Sequence, residues 1–165
     1  MRVMGIDPGT LCTGYGVVDL INNKVSHVAS GAISNRNKTL LSDRFSKIYN
    51  EIVSAIHQYC PECVSIENIF YCKNVSVAIK LGMVRGIAIL AARECSLPIV
   101  EYSAKRVKQA VVGYGNAHKV QVMVMIKRLL QLEEDLKKED IADALALAIC
   151  HLHTIKSGLQ EPDYL

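Results

Sequence analysis

Four carboxylates stand in this chain where a hard divalent cation would want oxygen ligands. Asp7 closes the apolar run Met4-Gly5-Ile6, and Glu67 closes Val64-Ser65-Ile66. Asp140 and Asp143 lie three apart, on one face of an expected helix, ahead of the apolar run from Ala144 to Ile149. Acids at the ends of neighbouring strands, and on a helix beside them, can converge on one point. Bare, such a cluster repels itself and its pKa values rise; around Mg²⁺ or Mn²⁺ it is stabilised. The chemistry it would serve is metal-dependent phosphodiester cleavage.

Each acid also has a plainer reading. Asp7-Pro8-Gly9 is a turn sequence, Glu67 would suit a solvated strand edge, and Glu139 and Asp140 complement a helix dipole. Two features weigh against all four plain readings holding together. Asp7 follows a strand expected to be central, where an uncompensated carboxylate is costly. Asp143 precedes a nearly uncharged helix, which places it inside the packed region.

Other side chains could serve the same chemistry. Phe70 and Tyr71 follow Glu67 in an expected strand-to-helix loop, either as a hydrophobic staple or as aromatics that stack on an unpaired base. Lys105, Arg106 and Lys108 form a basic cluster, which on a helix face is commonly just solvated. Lys119 sits at an expected helix start, where a cation opposes the dipole unless it serves a phosphate. Cys60-Pro61-Glu62-Cys63 with His57 offers three soft ligands, but no second Cys pair stands at a zinc-site distance. Reduced thiols are the expectation for all six cysteines.

The elements that must position these residues follow from periodicity. Short apolar strands are expected at Arg2–Asp7, Thr13–Leu20 and Lys24–Ile33, the last two joined by a tight turn at Asn22-Asn23. Apolar residues then recur at helical spacing from about Thr39 to Tyr59, and Cys63–Glu67 is a fourth strand. Asn74 caps a long helix to about Glu94, and Pro98–Tyr102 is a fifth strand. Ser103 caps a short helix to Val112, Asn116 caps the next to about Gln131, and the last runs from near Lys138 to Lys156. The glycines of Thr13-Gly14-Tyr15-Gly16 permit close backbone approach. This order implies one α/β domain over residues 1–156, a mixed five-stranded sheet with helices packed on it, and a short tail, 157–165.

The helix after Asn74 is apolar nearly all round, which means burial on two sides. Its second face is covered either by the protein's own core or by a second copy of the chain. Gly82 and Gly86 would permit close helix approach, with Ala78, Arg85 and Ile89 beside them.

Composition sets the outer bounds. The chain has 165 residues, half of them hydrophobic and 21% charged, which fits a folded domain. Its 19 Lys and Arg against 16 Asp and Glu give a formal charge of +3, too small an excess to diagnose a polyanion partner. With four acids assigned to a cation site, the rest of the surface is more basic than that total. No charged leader is visible, and charge-free runs fall short of the roughly 18 residues a membrane span needs. A cytoplasmic protein with no membrane partner is the expectation.

Six blocks in order resemble the RuvC family of Holliday-junction resolvases. They are Gly5-Ile6-Asp7-Pro8-Gly9-Thr10 with Thr13-Gly14-Tyr15-Gly16; Ile66-Glu67-Asn68-Ile69-Phe70; Lys73-Asn74; Leu81-Gly82 with Arg85-Gly86; Val107-Lys108-Gln109 through Gly115; and Asp140-Ile141-Ala142-Asp143-Ala144-Leu145-Ala146. The resemblance implies an RNase H-like fold and a homodimeric endonuclease with two Mg²⁺ per active site, Mn²⁺ able to substitute. It places the catalytic, metal-binding acids at Asp7, Glu67, Asp140 and Asp143, and a junction-probing aromatic at Phe70. Lysines near the scissile phosphate fall on Lys108 and Lys119, and Tyr71, Lys73, Lys105 and Arg106 are further candidates for DNA contact. The implied substrate is four-way junction DNA, cut by paired symmetric nicks that leave 5′-phosphate and 3′-hydroxyl ends, in recombination and repair. A branch-migration helicase complex is a partner on resemblance alone. Two departures stand out: Ile141 occupies a position that is commonly small, and the tail after Lys156 is not basic.

Three other readings compete. An ATPase of the actin and sugar-kinase kind shares an Asp-x-Gly-Thr loop but needs two related lobes. An RNase H-like nuclease acting on structured RNA shares the first block but not the Phe70 to Gly86 pattern. A dimer that binds branched DNA without cutting it would need no metal.

Overall fold

The computed structural model describes residues 1–68, 74–134, 136, 138–158 and 163–165. Phe70, Tyr71 and Lys73 therefore lie outside the described residues. Five strands, β1 (Arg2–Asp7), β2 (Cys12–Ile21), β3 (Lys24–Ser34), β4 (Cys63–Glu67) and β5 (Ile99–Tyr102), form where alternation and turn chemistry place them. Asn22 and Asn23, both at positive φ (48° and 68°), make the tight β2–β3 turn. Five helices complete the layers: α1 (Leu41–Tyr59), α2 (Val75–Glu94), α3 (Ala104–Val112), α4 (Lys119–Leu129) and α5 (Glu139–Ser157). The tail adds β6 (Asp163–Tyr164), so the mixed sheet runs β3-β2-β1-β4-β5-β6, with β1, β4 and β5 parallel.

Strand alternation sorts the core into two layers. Val3 and Cys63 pack with α5, α3 and α4, whereas Met4, Ile6, Val64 and Ile66 pack with α1 and α2. Asp7 shares parity with Val3, and Glu67 shares parity with Cys63, so both acids point to the α5 side. The α5 helix is buried from Ala144 through Leu152, as its lack of charge predicts.

Local chemistry sets the helix ends. Asn74 Oδ1 accepts from the backbone N–H of Ser76 (3.0 Å) and Val77 (3.3 Å), and Ser103 Oγ accepts from that of Arg106 (3.3 Å). Gly113, at φ 96°, ends α3. Asn116 does not cap α4: Ala117 is buried, and the helix begins at Lys119 after His118, whose backbone N–H donates to Gln121 Oε1 (2.8 Å).

The α2 helix departs from its expected burial on two sides. Val84, Ala88, Ala91 and Ala92 are buried, while Val75, Ile79, Gly82, Met83, Gly86 and Leu90 face outward as one stripe. By length and composition α2 is apolar enough to cross a membrane, contrary to the expectation drawn from charge-free runs. It is docked on the domain along its buried stripe, leaving one apolar face outward.

Candidate active site

Three elements bring the four acids onto one face. In the parallel β1–β4 pair Ile6 lies beside Ile66, so the next residues, Asp7 and Glu67, end side by side at the carboxyl edge of the sheet. The third element, α5, reaches them because the strands beneath it carry glycine. A Cβ on Gly5 would sit 1.9 Å from the carbonyl oxygen of Ala144, and one on Gly14 would sit 2.0 Å from that of Asp140. Gly14 is also the register partner of Asp7 on β2. The first turn of α5 thus lies directly over the end of β1, and Asp140 and Asp143 come with it. Ser65, between the buried ends of β4, fastens the middle of the helix by donating to the Leu147 carbonyl (2.9 Å).

The loop from Pro8 to Leu11 is a turn as well as an acid's neighbour. Thr13 Oγ1 donates to the Gly9 carbonyl (2.8 Å), and the Asn35 backbone N–H donates to the Leu11 carbonyl (2.8 Å). Both readings of Asp7-Pro8-Gly9 therefore hold together.

All four carboxylates are half-buried. The Asp7 carboxyl is pushed up to about 7, by burial first and then by Asp143, Glu67 and Asp140, with Lys119 opposing. Burial and Asp143 also raise Glu67, against Lys119 and Lys108. Among the described residues no three Asp, Glu, His or Cys side chains are drawn up to a common metal-ligating point. Like charges spread rather than close on one another, and Asp143 turns to Lys119, whose Nζ lies 3.2 Å from its Oδ2 and 3.5 Å from Glu139 Oε2. The donor set nonetheless fits a hard divalent cation: all ligands are carboxylate oxygens, and the burial and like charge that raise Asp7 are what a bound cation would offset.

A pH dependence follows. Asp7 binds a proton in the folded state, and not in the unfolded chain, between the ordinary carboxyl value of 3.8 and about 7. Its contribution to stability therefore falls as pH rises through that range. The buried His151 is depressed to about 4 and varies in the opposite sense below 6.5. Comparing wild type with Asp7→Asn cancels His151. Without metal, the stability of wild type relative to the variant is expected to fall between about pH 5 and pH 8. Thermal unfolding across that range checks it; a flat difference would remove the coupling assigned to Asp7.

The basic candidates divide. Lys108 and Lys119 line, with Glu67, Asp143, Val107 and Leu147, a cleft of about 190 Å³. Lys119 is the first residue of α4, and Asp143 and Glu139 offset its unfavourable position in the helix dipole. Lys105 and Arg106 are not among the residues lining the cleft. The stem of Lys105 lies against Gly115, and the charge of Arg106 acts on Tyr102 and Cys150. Nor do Cys60, Cys63 and His57 form a metal site. Cys63 is buried, its thiol pushed up to about 12; Cys60 donates to the His57 carbonyl (3.3 Å); and the His57 ring faces Cys95 (3.8 Å).

Arg85 has a role that the sequence did not reveal. It is half-buried, its Nε donates to the Glu67 carbonyl (3.3 Å), and its guanidinium pairs with Glu101 on β5. Gly82 and Gly86 stay on the outward stripe, and Ala78 and Ile89 flank it half-buried. Ile141 is accommodated by packing, partly buried, against the core around α5.

Comparison with known proteins covers nearly the whole chain. The family described as crossover junction endodeoxyribonuclease RuvC matches residues 3–151. Curated members from Syntrophotalea carbinolica and Koribacter versatilis are 51% and 47% identical, over 93% of this chain and 94% and 93% of theirs. Among solved structures, Thermus thermophilus RuvC superposes with a TM-score of 0.88 at 31% identity, over 98% of this chain and 99% of that one. The same protein in complex with a Holliday junction substrate gives 0.91. With its acids gathered at the carboxyl edge of an RNase H-like sheet, and with this likeness over nearly its whole length, the chain belongs to the RuvC family of crossover junction endodeoxyribonucleases.

Proposed function

We infer that this chain is a structure-selective endodeoxyribonuclease that resolves four-way DNA junctions by paired symmetric nicks, in recombination and DNA repair. The observation that carries the reading is the gathering of Asp7, Glu67, Asp140 and Asp143 on one face, in a chain matched to the family over residues 3–151. Those four would hold two Mg²⁺, with Mn²⁺ able to substitute. Bound there, the ions supply an activated water and charge stabilisation for an in-line displacement, leaving 5′-phosphate and 3′-hydroxyl ends.

The chain's own residues do the positioning. Lys108 and Lys119 face the cleft beside the acids and bind the phosphate to be cut. Lys119 is exposed enough to leave Asp143 for a phosphate oxygen, while Asp143 turns to its cation. Arg85 holds the end of β4, and with it Glu67, from behind. Affinity for the junction should rest largely on phosphate contacts and fall with salt.

A homodimer completes the reading. The outward stripe of α2 carries Val75, Ile79, Met83 and Leu90, and a Cβ on Gly82 or Gly86 would meet nothing within 4 Å among the described residues. No contact among the described residues requires glycine there; close approach by a second helix would. A C₂ pair would set one active site on each of two equivalent strands. Gly86→Lys is expected to give a folded monomer, since a helical glycine is replaced at an open position. Sedimentation should show the halved mass, and paired cutting should drop to single nicks. A dimeric Gly86→Lys would move the interface elsewhere.

The direct test is a synthetic four-way junction with labelled arms, incubated with Mg²⁺ or with chelator. Symmetric ligatable nicks only with metal are expected. Tight ATP binding, a preference for structured RNA, or binding without cutting would each favour one of the competing readings.

A further inference from the structure

Arg85 stands on α2 but spends its donors on the ends of β4 and β5. Three residues before the buried Ala88, it lies on the docked flank of the helix, half-buried, and not on the outward stripe. Its Nε donates to the backbone carbonyl of Glu67 (3.3 Å), and its guanidinium pairs with Glu101. Glu101 is the register partner of Ile66, whose side chain packs with α1 and α2, so Glu101 also points to the α2 side of the sheet. The Glu67 side chain, one residue further along β4, points to the α5 side. Arg85 thus reaches this acid through its backbone, from the opposite face of the sheet. The same strand end is held laterally, where the Asn68 backbone N–H donates to the Tyr102 carbonyl (2.9 Å).

Docking α2 does not by itself call for this pair. The core on this side of the sheet is built from apolar residues, among them Ile6, Ile66, Val84 and Ala88. An ion pair whose side chains are only 21% and 13% exposed adds little net stability over apolar residues of similar size. What it supplies is direction. Glu101 engages the end of the guanidinium and leaves Nε–H aimed at one carbonyl, that of the residue whose carboxylate lines the cleft. An outer hydrogen bond that orients a ligand governs how tightly the metal is held.

We propose that Arg85, anchored by Glu101, is a positioning residue for Glu67: it fixes the backbone from which the Glu67 carboxylate projects, and so sets the affinity of the site for its divalent cation. The inference rests on the reading of Glu67 as a metal ligand. It adds a carboxylate, Glu101, that serves the site from the far side of the sheet.

The test is Mn²⁺ binding to the DNA-free protein, followed by electron paramagnetic resonance, for wild type, Arg85→Lys, the double variant Arg85→Met with Glu101→Leu, and Glu67→Gln. Arg85→Lys keeps a charge for Glu101 but has no Nε–H for the Glu67 carbonyl, and is expected to weaken Mn²⁺ about tenfold. The double variant exchanges the pair for apolar residues of similar size. It should unfold close to the wild-type temperature and still lose Mn²⁺ affinity about tenfold. Half-saturating Mn²⁺ in cleavage should rise in parallel, while the KM for junction and the sedimenting mass stay put. Wild-type Mn²⁺ affinity in folded Arg85→Lys would overturn the proposal. So would a drop in that variant's sedimenting mass, which would make Arg85 an interface residue instead. Undiminished Mn²⁺ binding by Glu67→Gln would overturn the metal-ligand reading on which the proposal stands.

Discussion

Asp7→Asn is expected to cut the single-turnover cleavage rate by at least about 10³-fold, the several kcal/mol that metal-borne charge stabilisation supplies. Three observations make Asp7 the most sensitive of the four acids. It ends the strand over which α5 is seated, its register partner Gly14 touches Asp140, and its carboxyl feels Asp143, Glu67 and Asp140 at once. The substitution keeps shape and removes charge. Junction binding, carried by phosphate contacts elsewhere, should stay within about threefold in a filter or gel assay. A third readout moves the other way. Relieved of a carboxylate that is costly to ionise, the metal-free variant should unfold at a higher temperature than wild type at about pH 8. Lost cleavage with gained stability separates a catalytic acid from a structural one. Cleavage near the wild-type rate would dismiss Asp7 from the metal site.

Gly14→Ala should be among the most damaging single methyl additions in the sheet, and the one that meets Asp140 itself. Its Cβ would meet the Asp140 carbonyl oxygen at 2.0 Å and carbon at 2.4 Å, both backbone atoms with no flexible side chain to yield. Either β2 or the start of α5 must move. Overpacking of this kind costs about 2–3 kcal/mol, which for a domain of this size lowers the unfolding midpoint by roughly 5–10 °C. Because the displaced turn carries Asp140, cleavage should fall by about a further 10²-fold in protein that is still folded, the usual result of misplacing a reacting group by an ångström. Unfolding and cleavage measured at the same low temperature distinguish the two losses. A folded Gly14→Ala enzyme of normal rate would mean that the acids are not positioned through this contact.

Much of the fold and of the site could be read in the chain before any coordinates. Alternating apolar residues marked β1 to β5, Asn22-Asn23 marked the turn between β2 and β3, and Asn74 and Ser103 marked two helix starts, because these depend on neighbours in sequence. The four acids were legible for the same reason: each stands at the edge of an apolar run. The α4 start was not, since Ala117 is drawn into the core and the helix begins beyond Asn116. Neither was β6, two residues being too few to carry a period.

The amino-acid order thus determined which residue types end which elements, and through family likeness the class of reaction. Only the tertiary structure decided what meets what. The α2 helix, apolar all round, has no periodic signal to say which face is buried; packing buries Val84 and Ala88 and leaves Met83 and Leu90 outward. Arg85 turns to Glu101 and the Glu67 carbonyl, Lys108 and Lys119 line one cleft with Glu67 and Asp143, and Gly14 lies against the backbone of Asp140. These pairings join residues far apart in the chain. Those made by α5 exist because β1 and β2 come within close contact of it at three glycines, a fact of three-dimensional packing that local sequence does not encode.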